Sequence, residues 1–504
     1  MSQSNFWFDS KAIVVYAVSL LALAEIIDLT IVAIAIPQIM GALGADLDSI
    51  AMVTTSYIVA ATGFIPLSGI VIRKYGMKQI VLASAVMFTI ASILCGIASS
   101  LTAMILFRIL QGIGGAFLPS VAQSYIVNSY SGEERQKMMS LFGLIVVMGP
   151  VLGPLLGGAL CENLSWRWIF YVNVPICAVG AALVVIFMKK EPLIHTKIDH
   201  ISFVLMMLGL GSLEYFIDQG NQQNWLHSIK MVIILCTALL SLSFFVWRGL
   251  LGKSVANFSL FKNSNFVLSC IGMFSFMMLV TGALAYFPTM LQQVYGYPVN
   301  IAGYITAPRG LAAIVAAPLI PIITNQIGMK ITMVFGILIF AFSCFMLAGF
   351  GPEVSESYIL LTMILQGFSM MGFFVPIMQI CFVGFAEEQT ADVSGIFNFF
   401  RNFACSVGNS ICATIVSHQS QVNYHDLGAN ISPYANGFAW WRQHLPDISE
   451  QLQVAIAQAQ VMEQALLVSY IDSYYIFGVL LLLLLWLPMT LQQPSLVRTT
   501  HAMH

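Results

Sequence analysis

The chain has 504 residues, of which 59% are hydrophobic and only 8% are charged, and its formal net charge is −2 at pH 7. A soluble domain carries about 25% charged residues, so this composition excludes a soluble enzyme, a nucleic-acid-binding protein and a disordered chain. The apolar residues form long runs and do not alternate over ~10-residue segments, which argues against a transmembrane barrel. The composition therefore predicts an all-α protein that crosses a membrane many times.

Long apolar runs, separated by charges, Gly/Pro turns and polar clusters, predict fourteen membrane-spanning helices. A bilayer core of ~30 Å needs about 20 apolar residues per helix. The first run follows MSQSNFWFDSK, which lacks the basic region and cleavage site of a signal peptide, so we expect it to be retained as a helix. The fourteen spans lie at about 12–40, 50–72, 79–98, 102–126, 136–161, 168–188, 200–219, 228–248, 264–292, 300–325, 330–350, 357–384, 393–417 and 466–492.

An even number of spans places both termini on the same side of the membrane. If that side is cytoplasmic, the inner segments hold fourteen basic residues and the outer segments three, so the positive-inside rule predicts cytoplasmic termini. The longest connection, 418–465, then lies on the outer face. It is polar with aromatic islands, and 447–465 has the pattern of an amphipathic helix, so we expect a structured outer hairpin.

The fifth span contains the strongest local motif, MGPVLGPLLGGAL. Three of its glycines are four residues apart and therefore lie on one helix face, where they let another backbone approach closely. Its two prolines remove backbone donors and bend the helix. A packing seam and a purpose-built bend are both compatible with this pattern, which comprises Gly149, Pro150, Gly153, Pro154, Gly157 and Gly158.

This Gly-Pro repeat resembles the antiporter motif of the major facilitator superfamily, in its fourteen-helix drug:proton antiporter branch. Further motifs resemble those of the EmrB/QacA-like subgroup and lie in the order expected along the chain. They are DLTIVAIAIP at 28–37, TTSY at 54–57, RILQGIGGA at 108–116, SWRWIFYVNVP at 165–175 and SGIFNFFRNFACSVGNSI at 394–411. The resemblance thus covers nearly the whole chain.

The loop after the second span departs from the family pattern. The usual motif reads Gly-x-x-x-Asp-Arg-x-Gly-Arg-Lys, whereas 69–78 reads GIVIRKYGMK, with Arg73 in place of Asp and Met77 in place of Arg. This departure puts in doubt a cytoplasmic gate built on that Asp. The basic loop is equally well explained as a positive-inside anchor. Its motif positions are Gly69, Arg73, Lys74, Gly76 and Lys78.

The resemblance implies two six-helix bundles around a central cavity, with two extra helices inserted between them. On that basis we expect an N-terminal bundle at 1–190, a two-helix insert at 191–260 and a C-terminal bundle with the outer hairpin at 261–504. Spans 1, 2, 4, 5, 9, 10, 12 and 13 would line the cavity. Rocking of one bundle against the other would expose the cavity to each side in turn.

Ionisable residues inside the spans are candidates for function, because each costs at least ~2.5–3.5 kcal/mol near the bilayer centre. Glu25 and Asp28 lie three residues apart in the first span, hence on one helix face, and Arg108 lies in the fourth span. By resemblance, Asp28 is the leading proton-binding site, Glu25 could share that role, and Arg108 helps to move the proton. A cationic substrate beside the carboxylate would expel the proton, and protonation would favour substrate release.

The other charges within or near the spans receive different interpretations. Glu214 and Asp218 belong to the insert, so we expect them to pair with each other away from the cavity. Arg309 and Arg401 either pair with acidic residues of the C-terminal bundle or line an anion-tolerant cavity. Asp392 lies near a span end, where solvation suffices. From span placement alone, the expected cavity lining is Tyr57, Gln111, Gln123, Phe287, Gln292, Arg309, Gln379, Asn398 and Arg401.

The resemblance implies a secondary transporter that exports lipophilic, drug-like compounds across a bacterial inner membrane, driven by the proton gradient and without a cofactor. An EmrA-like periplasmic adaptor and a TolC-like outer-membrane channel would complete a tripartite system, with the outer hairpin placed to contact the adaptor. The alternative within transport is export of one metabolite, such as a siderophore or a fatty acid.

Two other classes of protein fit the sequence poorly. HExxH and GxSxG are absent, and none of the nine cysteines forms CxxC, so an intramembrane enzyme and a metal site are not expected. A receptor or scaffold would have no use for Asp28 and Arg108 at membrane depth.

Overall fold

A computed structural model describes residues 9–190, 199–351, 354–429 and 450–492. Within these residues all regular structure is helical, and fourteen long helices follow one another along the chain. They are α1 (Ser10–Leu43), α2 (Met52–Tyr75), α3 (Met77–Gly96), α4 (Leu101–Ser129), α5 (Gly132–Asn163), α6 (Trp168–Phe187), α7 (His200–Gln219), α8 (Ile229–Leu250), α9 (Ser264–Gln293), α10 (Val299–Ile327), α11 (Met329–Ala348), α12 (Glu356–Ile380), α13 (Thr390–Gly428) and α14 (Gln451–Thr490).

Each of the fourteen predicted spans coincides with one of these helices. Thirteen of them are long and apolar enough to cross a membrane. The exception is α13, whose apolar run is interrupted by amides, hydroxyls and Arg401. A polar helix is tolerated at membrane depth where it faces other protein, and α13 packs against α2, α4, α7, α9 and α14. The predicted all-α, polytopic fold is therefore confirmed.

Helices α1–α6 and α9–α14 form two halves with the same pattern of neighbours. In the N-terminal half, α1 packs against α5 and α6, and α4 packs against α2 and α3. In the C-terminal half, α9 packs against α13 and α14, and α12 packs against α10 and α11. Each pair thus has a counterpart eight helices further along. The halves meet where α5 packs against α10 and where α2 packs against α13.

The inserted helices α7 and α8 pack against each other and are joined at one end by Asp199 and Arg248. Arg248 Nη2 donates to both carboxylate oxygens of Asp199, at 2.9 and 3.0 Å. This guanidinium holds the pKa of the Asp199 carboxyl below its usual value. In addition, α7 contacts α2 and α13. Helix α7 thus contacts one helix of each half.

Helices α13 and α14 extend beyond the predicted spans on the side opposite to the basic loops. We call the side predicted to be cytoplasmic the inner side and the opposite one the outer side. On the outer side α13 continues to Gly428, and residues 450–465 are helical and continuous with α14. Asn423 Nδ2 donates to Ser469 Oγ at 3.1 Å between the two helices. The tip of the predicted outer hairpin, 430–449, lies outside the described residues.

Candidate functional site

Asp28 lies inside the N-terminal half, where donors from α4 and α6 surround its carboxylate. It forms an ion pair with Arg108, and both side chains are fully buried. Its Oδ1 atom accepts hydrogen bonds from Gln111 Nε2 at 2.9 Å and from Asn173 Nδ2 at 2.8 Å. Three donors from α4 and α6 therefore hold this carboxylate in place.

The Arg108 guanidinium is held by partners from several helices. Its Nε donates to the Val53 carbonyl of α2 at 3.0 Å, and its Nη1 donates to Gln111 Oε1 at 2.7 Å as well as to Asp28. Its Cζ lies 4.2 Å from the centroid of the Tyr57 ring, which is a cation–π distance. Nη2 has no hydrogen-bond partner among the described residues. The pair is thus enclosed within the bundle rather than open to a cavity.

Glu25, one turn before Asp28 on α1, has a different environment. It is fully buried, and neither carboxylate oxygen accepts a hydrogen bond from a described residue. An added Cβ at Gly115 of α4 would come within 2.9 Å of both Glu25 Cγ and the Tyr57 hydroxyl, so glycine leaves room for them. Across the interface between the halves, Arg401 of α13 lies within electrostatic range of Glu25. Of the two neighbouring carboxylates, one is bonded and the other is not.

The two arginines predicted in the C-terminal half are buried and incompletely bonded. Arg401 donates through Nε and Nη2 to Asn402 Oδ1, at 3.1 and 2.9 Å, while its Nη1 has no partner among the described residues. Nη1 of Arg309 on α10 also lacks a partner there. Within the described residues neither arginine forms an ion pair. The first alternative, pairing with acids of the C-terminal bundle, is therefore not observed.

The short sequence ILQG occurs in α4 at 109–112 and again in α12 at 364–367. Its glycines mark points of close approach. An added Cβ at Gly112 would collide with the backbone of α2, and one at Gly367 would collide with the backbone of α10. Because α4–α2 and α12–α10 are counterpart pairs, the same motif makes the same contact in both halves.

Two residues of this region have no role among the sequence-based expectations. Gln366, the counterpart of Gln111, is fully buried, and neither atom of its amide has a partner in the described part of the chain. The repeated ILQG is the signal that could have found it. Asn173 lies in the motif SWRWIFYVNVP, which carries the family resemblance without indicating what the amide does. The structure assigns it as a donor to Asp28.

The glycines of the fifth-span motif form a packing seam against α1. An added Cβ at Gly149, Gly153 or Gly157 would come within 3.0 Å of an α1 side chain, whereas one at Gly158 would meet no atom within 4 Å. Helix α5 runs without interruption through both motif prolines. Its other contacts include α10 of the opposite half. Of the two readings, the packing seam is therefore observed directly, and it fixes α5 to its own half.

On the inner side, Arg73 near the end of α2 forms an ion pair with Asp392 near the start of α13. Asp392 also accepts a hydrogen bond from Asn257 Nδ2 at 3.3 Å. An added Cβ at Gly69 would overlap the Asp392 carboxylate, so this glycine makes room for the pair. The expectation that Asp392 is solvated at a span end is wrong, because α2 covers it and leaves its side chain 5% exposed. The family pattern has an acid at position 73. Here position 73 is an arginine, and the acid of this contact is Asp392 in the C-terminal half.

The remaining positions of the loop motif have structural roles. Gly76 ends α2 with a φ of 83°, a conformation that favours glycine. Lys78 Nζ donates to two carbonyls at the C-terminal end of α6, at 2.8 and 2.5 Å, where a cation also complements the helix dipole. Lys74 Nζ lies 5.1 Å from the centroid of the Tyr75 ring.

The predicted cavity residues separate into two groups. Gln123 and Asn398 join the halves, because Asn398 Nδ2 donates to Gln123 Oε1 at 2.7 Å. Phe287 is fully buried, and its ring centroid lies 6.3 Å from that of Phe350 within the C-terminal half. Gln292 donates to a carbonyl of its own helix at 3.2 Å, and Gln379 is half-buried. Among the described residues these three side chains form no hydrogen bond to the buried charges, whereas Tyr57 and Gln111 both contact Arg108.

The arrangement as a whole places buried ionisable groups of both halves close to one another. Unbonded acidic and basic groups from both halves face one another at the centre, and hydrogen bonds and an ion pair join the halves on the inner side. Within the described residues no group of three His, Cys, Asp or Glu is placed to hold a metal ion.

Comparisons with known proteins give the family. The sequence profile of the Major Facilitator Superfamily matches residues 18–409. Multidrug export protein EmrB of Escherichia coli is 32% identical over 485 residues, which cover 94% of each chain. EmrB of Haemophilus influenzae is 33% identical over 426 residues, or 83% of each chain. Fatty acid resistance protein FarB of Neisseria gonorrhoeae is 31% identical over 480 residues, or 94% of each chain.

Solved structures agree on the fold. The human organic anion transporter MFSD10 superposes with a TM-score of 0.61 at 14% identity, covering 95% of this chain and 99% of that one. The proton:xylose symporter XylE superposes with a TM-score of 0.60 at 14% identity, covering 96% and 95% of the two chains. The predicted assignment to a secondary transporter rather than an enzyme is confirmed. The extent of the profile match and the near full-length identity to the relatives show that the chain belongs to the major facilitator superfamily.

Proposed function

We propose that this protein exports lipophilic, drug-like compounds across a bacterial inner membrane in exchange for protons. The names of its relatives, two multidrug export proteins and a fatty acid resistance protein, support export of lipophilic compounds. The observation that carries proton exchange is Glu25, a fully buried carboxylate without a hydrogen-bond partner among the described residues, at the interface between the halves. Such a group can gain and lose a proton without dismantling a bonded network.

In the proposed cycle, Glu25 and Asp28 have different roles. Asp28 is held by Arg108, Gln111 and Asn173, so it links α1 to α4 and α6. It takes a proton only when its ion pair opens. Glu25 is the exchanging group. A cationic substrate bound near it favours the ionised carboxylate and displaces the proton, and protonation then favours substrate release. Exchange follows from competition of two cations for one carboxylate.

Alternating access is the motion that this cycle requires. The Arg73–Asp392 ion pair and the Asn398–Gln123 hydrogen bond close the inner side in the described state. Opening of that side separates both pairs, whereas the glycine seam keeps α5 fixed to α1 within its own half. The cycle therefore exchanges polar contacts between the halves while the packing inside each half persists.

Replacement of Glu25 by Gln is expected to remove substrate-evoked proton release and to leave the fold intact. Gln is nearly isosteric, and no hydrogen bond from a described residue is lost. Protein reconstituted in proteoliposomes with an internal pH-sensitive dye gives the measurement, and uptake driven by an imposed pH gradient should fall to background. Glu162→Gln, at an exposed site near the end of α5, is the matched control. Proton release at the wild-type level in the Glu25 variant would remove Glu25 from the coupling mechanism.

We further propose that the protein is the pump of a tripartite system and contacts a periplasmic adaptor through the outer hairpin, 418–465. Replacement of 430–449 by a short Gly/Ser linker is expected to abolish efflux by whole cells and to leave transport in proteoliposomes unchanged. The measurement is accumulation of a fluorescent substrate in cells that also produce the adaptor and the outer-membrane channel. Efflux at the wild-type level by cells that carry the linker variant would refute the adaptor contact.

A second candidate function is export of one dedicated amphiphile, such as a fatty acid or a siderophore. It is favoured by the relative named fatty acid resistance protein. It is also favoured by the unpartnered Nη1 atoms of Arg309 and Arg401, which suit an anionic group. A drug-susceptibility panel and an assay of secreted metabolites in a deletion strain separate the two. Broad sensitisation supports drug export, and loss of one secreted compound supports the dedicated exporter.

A further inference from the structure

Glu214 is a buried carboxylate on an otherwise outward-facing helix. Only 22% of the apolar window of α7 is buried, yet Glu214 is fully buried. Neither of its carboxylate oxygens has a hydrogen-bond partner among the described residues. A charge buried in this way costs several kcal/mol unless it is neutralised. The proposed cycle described above gives this residue no role.

Helix α7 is held in place by bonds that leave Glu214 out. Ser410 Oγ of α13 donates to the Ile217 carbonyl at 2.6 Å. Asp218 accepts a hydrogen bond from the Thr55 hydroxyl of α2, and Gln219 Nε2 donates to that same hydroxyl at 2.7 Å. The sequence-based expectation that Glu214 pairs with Asp218 is therefore wrong, because Asp218 is bonded to α2. The inserted helix instead bridges the two halves and presents Glu214 between them.

The surroundings of Glu214 connect it to the central charges. Its carboxylate lies next to the Ser406 hydroxyl of α13, near enough for that hydroxyl to stabilise the ionised form, although the two groups do not reach hydrogen-bond geometry. The neighbouring thiol of Cys405 lies within electrostatic range of Arg401, Glu25 and Glu214. Glu214 thus reaches the same buried region as Glu25, from a third direction.

The charged and titratable groups that face Glu214 can be named element by element. On α7 itself Asp218 lies within electrostatic range, and on α13 the titratable group is the Cys405 thiol. On α8, Lys230 is bonded to the Tyr215 hydroxyl at 3.0 Å and not to Glu214. Helix α2 presents the Thr55 hydroxyl to Asp218 rather than to Glu214.

The charge balance of this region leaves one carboxylate without a counter-ion. Arg401 lies within electrostatic range of Glu25, whereas the charged neighbour of Glu214 is Asp218, another carboxylate. In a low-dielectric interior an uncompensated charge is strongly disfavoured. Glu214 is therefore compensated only when it holds a proton or faces the ammonium or phosphonium group of a bound molecule.

From these contacts we propose that Glu214 is a second cation-binding carboxylate of the transport region, supplied by the inserted helix. It takes either a proton or the cationic group of a lipophilic substrate. This inference rests on the proposed function, since it assigns a second binding group to the same exchange. It also gives the insert a direct part in transport, because α7 positions the carboxylate between α2 and α13.

The test compares wild type, Glu214→Gln, Glu214→Leu and Glu214→Asp in proteoliposomes. Three quantities are measured: protons released per molecule of tetraphenylphosphonium transported, the affinity for tetraphenylphosphonium, and the affinity for the uncharged lipophile N-phenyl-1-naphthylamine. If the bound cation is a proton, Gln and Leu lower the proton release per substrate by about half, because one of two exchanging groups is lost. If it is the organic cation, they weaken tetraphenylphosphonium binding about 10-fold and leave naphthylamine binding unchanged. Glu214→Asp should preserve the wild-type proton release and the wild-type affinities in either case.

The Leu variant keeps the inference testable if the Gln variant is unstable. Removal of an unpartnered buried carboxylate in favour of an apolar side chain should raise the melting temperature. Wild-type proton release together with wild-type affinity for both probes in the folded Gln or Leu variant would overturn the inference. Absence of substrate-evoked proton release from the wild type itself would instead overturn the proposed proton exchange, so the two failures are distinguishable.

Discussion

Replacement of Asp28 by Asn is expected to abolish proton-coupled transport and to lower the free energy of unfolding by about 3–5 kcal/mol, since it leaves a buried charge unpaired. The Arg108 guanidinium would stay fully buried without its anion. Asn has one acceptor oxygen, which can serve either Arg108 or the two amides of Gln111 and Asn173 that now donate to Oδ1, but not both sides. Thermal unfolding in detergent and pH-gradient-driven uptake in proteoliposomes measure the two effects.

A double variant separates the effect of the unpaired buried charge on stability from the effect of the substitution on transport. Asp28→Asn combined with Arg108→Gln removes both buried charges, so it should recover most of the stability lost in the single variant. It should not recover transport, because the Asp28–Arg108 pair that positions α1 and α4 around Glu25 is gone. Glu25→Gln serves as the stability control, since it removes a carboxylate that has no bonded partner among the described residues. A stable and fully active Asp28→Asn protein would contradict the proposed role of the ion pair.

Reversal of the charge at Arg73 is expected to weaken closure of the inner side and to reduce transport severely. Arg73→Asp places a second acid against Asp392, which is 5% exposed and lies over Gly69. The exchange Arg73→Asp with Asp392→Arg restores an ion pair of opposite polarity and should restore transport. A double-mutant cycle on the uptake rates is expected to give a coupling energy of about 0.5–3 kcal/mol.

The neighbouring residue supplies a matched control for this reversal. Lys74→Asp makes the same charge change one position later, but Lys74 contacts the Tyr75 ring and forms no ion pair among the described residues. It should therefore reduce transport far less than Arg73→Asp. Equal effects of the two substitutions, or failure of the exchange to restore transport, would show that the Arg73–Asp392 pair does not close the inner side.

Most of the fold was predictable because bilayer thickness imposes a length on every span. The deep charges were predictable for a similar reason: few occur, and Asp28 and Arg108 lie in separate spans at comparable depth. Asp392 as the partner of Arg73 was not predictable. The two residues are 319 positions apart, and their pairing depends on how the halves dock. The position of Glu214 was missed because the local i, i+4 spacing suggested a pair with Asp218, while contacts with α2 and α13 decide its surroundings.

The repeated ILQG has a consequence for the history of the chain. Arg108 stands three residues before Gln111 in α4, and Met363 stands three residues before Gln366 in α12. Met363 is as fully buried as Arg108. Duplication of an ancestral six-helix unit would leave the same backbone contact in both copies while only one of them carries the charge. The C-terminal copy then has an uncharged side chain at this buried position, and substitutions accepted at Met363 should trace how the two copies diverged.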